Sequence, residues 1–205
     1  MARGKKTPRA DIVTAAAQAL AERGTSVTMD EIAEAAGVSR RTLFRHYPTK
    51  GELVADAMRH GWEEWRAQAE VAIDASDLET SVRDLLVKAQ TLNAQAGRGF
   101  WELASGLVDE PELHEAAALR AETRRQYVPL VAGQLWDAAG GTGSPPRMVV
   151  DAYALLESIH SLRALHPDLE ASPERVGEVC AEVMLAVLNQ AVNDAEQSRS
   201  AQRAR

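Results

Sequence analysis

Polar hydrogen-bond donors are concentrated in one short stretch near the N-terminus of this 205-residue sequence. Between residues 39 and 46 these donors are Ser39, Arg40, Arg41, Thr42, Arg45 and His46. Arginine can donate bidentately to guanine, and serine and threonine hydroxyls can bond base edges or phosphates. The residue types therefore suit nucleic-acid recognition, provided that one helix carries them on one side. The alternative is an ordinary amphipathic hairpin whose arginines are simply solvated.

Three short helices are predicted to position these donors. The first covers residues 8–23, where apolar residues recur at helical spacing. Thr28 and Glu31 form a T-x-x-E capping box that opens the second helix, and Gly37 ends it. Ser39 can cap the third helix, which carries the donors. Two short helices separated by a glycine-containing turn have the layout of a helix-turn-helix.

The distribution of charge supports this interpretation. The whole chain has a net charge of −7, but its first 50 residues hold nine Lys or Arg against five Asp or Glu. The first quarter therefore carries +4 and the remainder −11. A cationic part is attracted to phosphates, and an acidic remainder is repelled by them. Chance clustering within a short window is the alternative.

The N-terminal stretch resembles a known DNA-binding domain. Residues 21–24 read AERG and residues 28–50 read TMDEIAEAAGVSRRTLFRHYPTK, an ordered pattern similar to the N-terminal domain of TetR-family transcriptional regulators. The resemblance implies that the third helix contacts bases and that a lysine at the start of the fourth helix contacts a phosphate. The residues that it places at DNA are Thr28, Met29, Ser39, Arg40, Arg41, Thr42, Phe44, His46 and Lys50.

Two of these positions carry further expectations. The family usually has tyrosine where this sequence has Phe44, so a phenol contact to phosphate is lost, while apolar contact to a thymine methyl stays open. Lys50 follows Thr49, which forms a second capping box with Glu52 and starts the fourth helix. A cation in a first turn opposes the helix dipole, and a DNA phosphate nearby would explain the position of Lys50.

The rest of the chain is predicted to be helical, because apolar residues recur at helical spacing and no alternating strand pattern is present. After the long fourth helix, helices are expected over 77–96, a short segment ending at Leu107, 111–138, 146–165 and 173–192. Pro129 is expected to kink the helix that contains it. The predicted fold is all-α with about nine helices: a helix-turn-helix domain at 7–50, a larger effector-binding and dimerisation domain at 51–192, and a flexible tail at 193–205.

The resemblance implies two further sites in the larger domain. A ligand cavity needs aromatic side chains and a few polar groups, and the candidate effector-binding residues are Trp62, Trp101, Tyr127 and His160. Core packing is the alternative role for each of them. The last two helices are expected to form a dimer interface across a twofold axis. Its candidate residues lie on two apolar stripes that could instead face their own core: Leu155, Ile159, Leu162, Val176, Val179, Val183 and Val187.

Other chemistries have less support. Glu157 and His160 form half of a di-iron motif, but the sequence has no second E-x-x-H to complete it. The single cysteine, Cys180, lies in an apolar stripe and is expected to be inert. No apolar run approaches the roughly 20 residues of a membrane span, and no signal-peptide pattern is present. We therefore expect a cytoplasmic protein with no cofactor, metal, catalytic residue or membrane partner.

These observations predict a ligand-responsive transcriptional repressor that binds a palindromic operator as a homodimer and is released by a small-molecule effector. Its partners would be double-stranded DNA, a second copy of the chain and an unidentified effector. A transcriptional activator or a non-specific architectural DNA binder is one alternative. A helical metal-dependent enzyme that uses His160 and glutamates is another.

Overall fold

The computed structural model describes residues 8–69, 71–106, 110–166 and 169–203. Within these residues the chain forms ten α-helices, two short 3-10 helices and no β-strand. The α-helices are α1 (Pro8–Arg23), α2 (Met29–Ala35), α3 (Arg40–His46), α4 (Lys50–Ala69), α5 (Leu78–Gln95), α6 (Gly97–Ser105), α7 (His114–Ala138), α8 (Arg147–Leu156), α9 (Ile159–Leu165) and α10 (Pro173–Arg203). The 3-10 helices are Gly24–Ser26 and Pro111–Leu113. The predicted all-α class is confirmed.

The chain divides into two compact units, and the first comprises Met1–Gln68 and Gln95–Thr123. Its core is made of completely buried aliphatic side chains: Ile12, Ile32, Leu43, Leu53 and Leu113. These side chains come from α1 to α4 and the second 3-10 helix, so the three short N-terminal helices share one core with later elements. The predicted domain boundary at residue 50 falls inside this unit.

Helix α6 is anchored to the end of α1 in the first unit. A Cβ added to Gly99 would lie 2.6 Å from the carbonyl oxygen of Leu20, so only glycine permits this approach. Glu102, further along α6, accepts hydrogen bonds from the backbone N (2.6 Å) and the Oγ1 (2.7 Å) of Thr25. The segment after α1 is therefore fixed by a helix about 75 residues later in the sequence.

The second unit comprises Ala69–Ala94 and Arg124–Arg205. Its core contains large side chains with almost no exposed surface: Leu86, Leu135, Trp136, Tyr153, Met184 and Leu188. They come from α5, the second half of α7, α8 and α10, and both α8 and α9 pack against α10. No helix in the described part of the chain has the length and apolar character needed to cross a membrane.

The segment predicted as one helix over 146–165 is two helices, because α8 ends at Leu156 and α9 begins at Ile159. The carbonyl groups freed by the break accept side-chain hydrogen bonds. Gln90 Nε2 donates to the oxygen of Leu156 (2.6 Å), and Asn93 Nδ2 donates to that of Glu157 (2.8 Å). Both amide side chains are buried on α5. Since the donors are more than 60 residues away, the periodicity of 146–165 could not reveal the break.

The last helix is longer than predicted. We expected it to end at residue 192, where the apolar stripe stops, but α10 continues to Arg203. Hydrogen bonds along the helix accompany this extension: Gln190 Nε2 donates to Asp194 Oδ1 (2.8 Å), and Ser198 Oγ donates to the carbonyl oxygen of Asp194 (2.8 Å). Helix formers such as Ala, Glu, Gln and Arg therefore sustain a helix without an apolar face.

Two other expectations concern a kink in α7 and the ends of the predicted helices and domains. Helix α7 runs without interruption through Pro129, the residue expected to kink it. Leu107, the predicted end of a short helix, lies outside the described residues. The same is true of residues 7 and 205, which bound two of the predicted domain ranges.

Candidate nucleic-acid interface

A tight turn joins α2 to α3. The backbone N of Gly37 donates to the oxygen of Glu34 (3.0 Å), and that of Val38 donates to the oxygen of Ala33 (3.0 Å). These two bonds close a helix around a residue in the left-handed region, and Gly37 has φ of +64°. An L side chain is strained at that angle. Glycine therefore allows α3 to begin directly after α2, as the sequence predicted.

Side-chain caps fix where the helices begin. Thr28 Oγ1 accepts a hydrogen bond from the backbone N of Glu31 (3.3 Å), and a Glu31 carboxylate oxygen accepts one from the backbone N of Thr28 (2.8 Å). The predicted capping box of α2 is thus confirmed. Ser39 Oγ accepts from the backbone N of Thr42 (3.2 Å) and caps α3 as expected. Thr49 caps α4 through a backbone amide in the same way.

Helix α3 has one buried side and one polar exposed side. Leu43 is completely buried in the core of the first unit, whereas Arg40, Arg41, Phe44 and Arg45 are exposed. Within the described residues neither Arg41 nor Arg45 makes a hydrogen bond or an ion pair. Their guanidinium groups are therefore available to an external anion or to a base edge.

The other predicted DNA-binding residues near α3 are less exposed. Met29, Thr42 and His46 are half-buried, while Thr28 and Ser39 are exposed. Thr42 Oγ1 lies 3.0 Å from Ser39 Oγ, so the two hydroxyl groups share one hydrogen bond. His46 Nε2 is buried and has no hydrogen-bond partner among the described residues. Arginines therefore dominate the exposed polar groups of this helix.

Arg40 is held between two side chains. Its Nη1 lies 2.8 Å from Oδ2 of Asp30 on α2, and its guanidinium carbon lies 5.3 Å from the ring centroid of Phe44. Asp30 was not among the residues predicted at DNA. The sequence gives no indication of this pair, because Asp30 and Arg40 lie ten residues apart on two helices whose angle depends on the turn at Gly37.

The helix-turn-helix lies within a recognised family domain. Residues 12–57 match the model of the tetR family of bacterial regulatory proteins. This segment is similar to the DNA-binding domain of TetR-family regulators. The matched segment contains α2, α3 and the start of α4, together with all nine residues predicted at DNA. The family resemblance of the sequence is confirmed.

Solved TetR-family structures share the fold. A transcriptional regulator from Streptomyces coelicolor has a TM-score of 0.70 at 19% identity, over 99% of this chain and 100% of that one. A TetR-family protein from Rhodococcus sp. has 0.63 at 22%, over 88% and 98%. NalD, the secondary repressor of the MexAB-OprM multidrug efflux pump in Pseudomonas aeruginosa, has 0.57 at 22%, over 88% and 94%. No curated protein sequence matches this chain.

The TetR-family resemblance places Lys50 at a DNA phosphate, but in the structure its side chain binds other residues of the first unit. Its side chain is only 13% exposed, and its Nζ forms an ion pair with Oε2 of Glu110 (2.9 Å). The same Nζ donates to the carbonyl oxygen of Thr25 (2.5 Å). Glu110 therefore accounts for a cation in the first turn of α4, which the sequence argument had attributed to DNA. The phosphate contact stays a prediction.

A polar cluster that the sequence did not reveal connects α1, the end of α3 and α4. Tyr47 Oη donates to Oδ2 of Asp56 (2.7 Å), and Arg9 contacts both the Tyr47 oxygen (3.0 Å) and Asp56 (2.7 Å). Arg59 pairs with the same carboxylate. Burial alone would raise the pKa of Asp56, but the hydrogen bonds from Tyr47 and Arg9 outweigh it and lower that pKa. The cluster thus fixes the helix-turn-helix to α4.

The four predicted effector residues are divided between the two units: Trp62 and Trp101 in the first, Tyr127 and His160 in the second. Trp62 is half-buried and stacks on Trp65, with ring centroids 5.0 Å apart. Tyr127 Oη lies 3.3 Å from Tyr153 Oη, and burial raises the pKa of both phenols. His160 is exposed. Neither unit contains all four residues, and their role in ligand binding stays a prediction.

The predicted dimer residues differ in exposure. Within one chain, the buried residues are Ile159, Leu162 and Val176. Val179 and Val187 are half-buried, and Leu155 and Val183 are exposed. A buried side chain has no surface left for a partner, so the first three serve the core of their own chain. The interface prediction therefore rests chiefly on Leu155, which is 63% exposed, and Val183, which is 45% exposed.

Two groups considered for other chemistry have partners in the second unit. The Glu157 carboxylate accepts a hydrogen bond from Arg124 Nε (2.9 Å) and is buried. No group of three metal-ligating side chains is found within the described residues. Burial raises the pKa of the Cys180 thiol to about 11, although Ser161 partly offsets it. A thiol with so high a pKa is a poor nucleophile at neutral pH.

Proposed function

We propose that this chain is a transcriptional repressor of the TetR family, a homodimer that binds a palindromic operator and is released by a small-molecule effector. The exposed side of α3 carries the proposal. Arg40, Arg41 and Arg45 project from it, while Leu43 fixes its opposite side in the core. Exposed charges contribute little to folding stability. Their concentration on the second helix of a helix-turn-helix is therefore better explained by an anionic partner in the major groove.

Exposed apolar side chains support a dimer. Met148 and Leu155 on α8 are 48% and 63% exposed, and Val183 on α10 is 45% exposed. Since α8 and α10 pack against each other, a second copy could cover both helices in a four-helix arrangement. A twofold axis there would hold two recognition helices about 34–36 Å apart, which is one turn of DNA.

Repression and effector release are the finer parts of the proposal. NalD, which is described as a repressor, supports repression through its shared fold. An effector can shift the protein toward a non-binding state only by its differential affinity for the two states. We propose α4 as the element that transmits this shift, because it carries Lys50 at its start and the stacked Trp62 and Trp65 further along.

The decisive experiment is a selection of DNA sequences by the purified full-length protein, followed by titration of the enriched site at two salt concentrations. We expect a palindromic site bound in the nanomolar range, as is typical of specific complexes. Arg41→Ala and Arg45→Ala should weaken binding at least about tenfold, because each loses a base or phosphate contact. Arg66→Ala, an exposed arginine near the end of α4, is the matched control and should bind normally.

Other outcomes identify the alternatives. Equal affinity for the enriched site and for random DNA would favour an architectural binder over an operator-specific regulator. No binding to any DNA, together with stoichiometric metal in the purified protein, would favour a helical metalloenzyme. If a specific site is found, a reporter gene placed downstream of it distinguishes repression from activation, and repression is the expected result.

A further inference from the structure

Two adjacent arginines of α3 have different surroundings. Arg40 pairs with Asp30 at 2.8 Å and lies over the ring of Phe44 at 5.3 Å. Arg41, the next residue, is exposed and makes no contact of either kind within the described residues. The guanidinium of Arg40 is therefore restrained from two directions, by a carboxylate of α2 and by an aromatic ring one turn later on its own helix.

The restraint has no evident role in folding. The Asp30 and Arg40 side chains are 58% and 69% exposed, and ion pairs at such exposure add little stability. Phe44 is 36% exposed, an unusual position for a large apolar ring on a polar helix. A carboxylate beside a DNA-binding helix is also repelled by phosphates. An acidic residue suits the first turn of α2, but the contacts that Asp30 and Phe44 make with Arg40 are better explained by recognition than by stability.

We propose that Asp30 and Phe44 are positioning residues that hold Arg40 as a reader of guanine. One Nη1 donor of Arg40 is used by Asp30, while the remaining N–H groups of the planar fork stay available for the O6 and N7 atoms of guanine. Restraining a flexible side chain before binding favours the one base that matches its fixed geometry. Asp30 thus contributes to discrimination between bases and not to overall affinity. The inference rests on the proposed operator binding.

The test measures base discrimination at every position of the selected operator with the full-length protein. Discrimination is the ratio of the Kd for a substituted base pair to the Kd for the operator. We expect Arg40→Ala to abolish the preference for guanine at one base pair in each half-site. Asp30→Asn should lower the ratio at that same base pair by roughly fivefold or more, while binding to random DNA is unchanged or tighter because a negative charge is lost.

Matched variants distinguish the positioning role from two other effects of a substitution, the loss of a negative charge and the loss of folding stability. Glu34→Gln removes a carboxylate from an exposed position of the same helix and should leave the ratio unchanged. Phe44→Leu should lower the ratio at the Arg40 base pair, while Phe44→Tyr, which retains a ring, should restore it. Equal thermal midpoints of Asp30→Asn and Glu34→Gln would show that the loss of discrimination is not a loss of fold.

Each contrary result has a definite meaning. If Asp30→Asn keeps the wild-type ratio at the base pair that Arg40→Ala identifies, or lowers the ratios at all positions equally, the positioning role is overturned and operator binding stands. If Arg40→Ala changes no position, the positioning role is likewise overturned. If the wild-type protein itself prefers no sequence, this inference and the proposed function both fail.

Discussion

At the scale of single residues, glycine has opposite consequences at two positions of the first unit. Gly37 has φ of +64°, whereas Gly61 lies inside α4, where an added Cβ would meet nothing within 4 Å. Gly37→Ala should lower the free energy of unfolding by about 1–2 kcal/mol because of left-handed strain. Gly61→Ala should raise it by about 1 kcal/mol because alanine favours helix. Urea unfolding of both variants measures this, and shifts of the same sign would contradict it.

The ion pair between Lys50 and Glu110 restrains a lysine that the proposed function places at a DNA phosphate. Glu110→Ala should release Lys50 from its ion pair and leave only its hydrogen bond to Thr25. Operator binding should then tighten, and the dependence of log K on log salt concentration should steepen by about one. Glu115→Ala, an exposed glutamate of α7, is the control and should bind like wild type. The gain should vanish in the double variant with Lys50→Ala. An unchanged salt slope in Glu110→Ala would mean that Lys50 does not reach the phosphate.

The cluster around Asp56 makes stability depend on pH. Its pKa is lowered from 3.8 in the folded state, so the ionised form is favoured by folding. The resulting stability is present above pH about 4 and is lost as the pH falls through the folded pKa. The difference in unfolding free energy between wild type and Asp56→Asn should therefore be largest at neutral pH and shrink below pH 4. Asp84→Asn, on the exposed side of α5, should show no such trend.

Local residue chemistry was largely predictable from the sequence, and distant pairs were not. The caps at Thr28 and Ser39 use bonds between residues three apart, so the sequence contains both partners in one short motif. The partner of Lys50 is 60 residues away, and that of Arg40 depends on the angle between two helices. Pairs of this kind are set by the folded chain, and no local pattern reports them.

At the scale of elements, the break between α8 and α9 depends on buried amides of α5. Gln90→Leu should lower the free energy of unfolding by about 1–3 kcal/mol, because the carbonyl oxygen of Leu156 loses its donor inside the core. Asn93→Leu should have a similar effect, because it removes the donor to the carbonyl oxygen of Glu157. Gln95→Leu, at an exposed position of the same helix, is the control. Chemical denaturation measures all three, and equal stabilities would show that the amides do not support the break.

The bounds of most helices follow from the sequence because caps, glycines and apolar periodicity act locally. Helix α1 covers residues 8–23 as expected, and α5 differs from the predicted 77–96 by one residue at each end. The errors came where periodicity is uninformative. It continued across residues 157 and 158, where α8 and α9 separate, and it ended at 192, although polar helix formers carry α10 to Arg203.

At the scale of the whole molecule, the proposed dimer can be tested through its exposed leucine. Leu155→Glu should convert the dimer to a monomer, because it places a charge where a second copy would cover an apolar side chain. Leu130→Glu is a close control, since Leu130 on α7 is 68% exposed against 63% for Leu155. Analytical ultracentrifugation measures the mass in solution. A Leu155→Glu variant that stays dimeric, or a wild-type protein that is monomeric, would remove α8 from the proposed interface.

The reactivity of the single buried cysteine can report on opening motions of the second unit. Cys180 is 3% exposed, and with a pKa of about 11 only about one thiol in 10,000 is ionised at pH 7. A thiol-specific dye can therefore react only when the core around α10 opens. The rate of dye incorporation therefore measures how often the core around Cys180 opens, and no engineered probe is needed. A small molecule that binds and stabilises this unit would slow the reaction, so the native thiol also offers a screen for effectors.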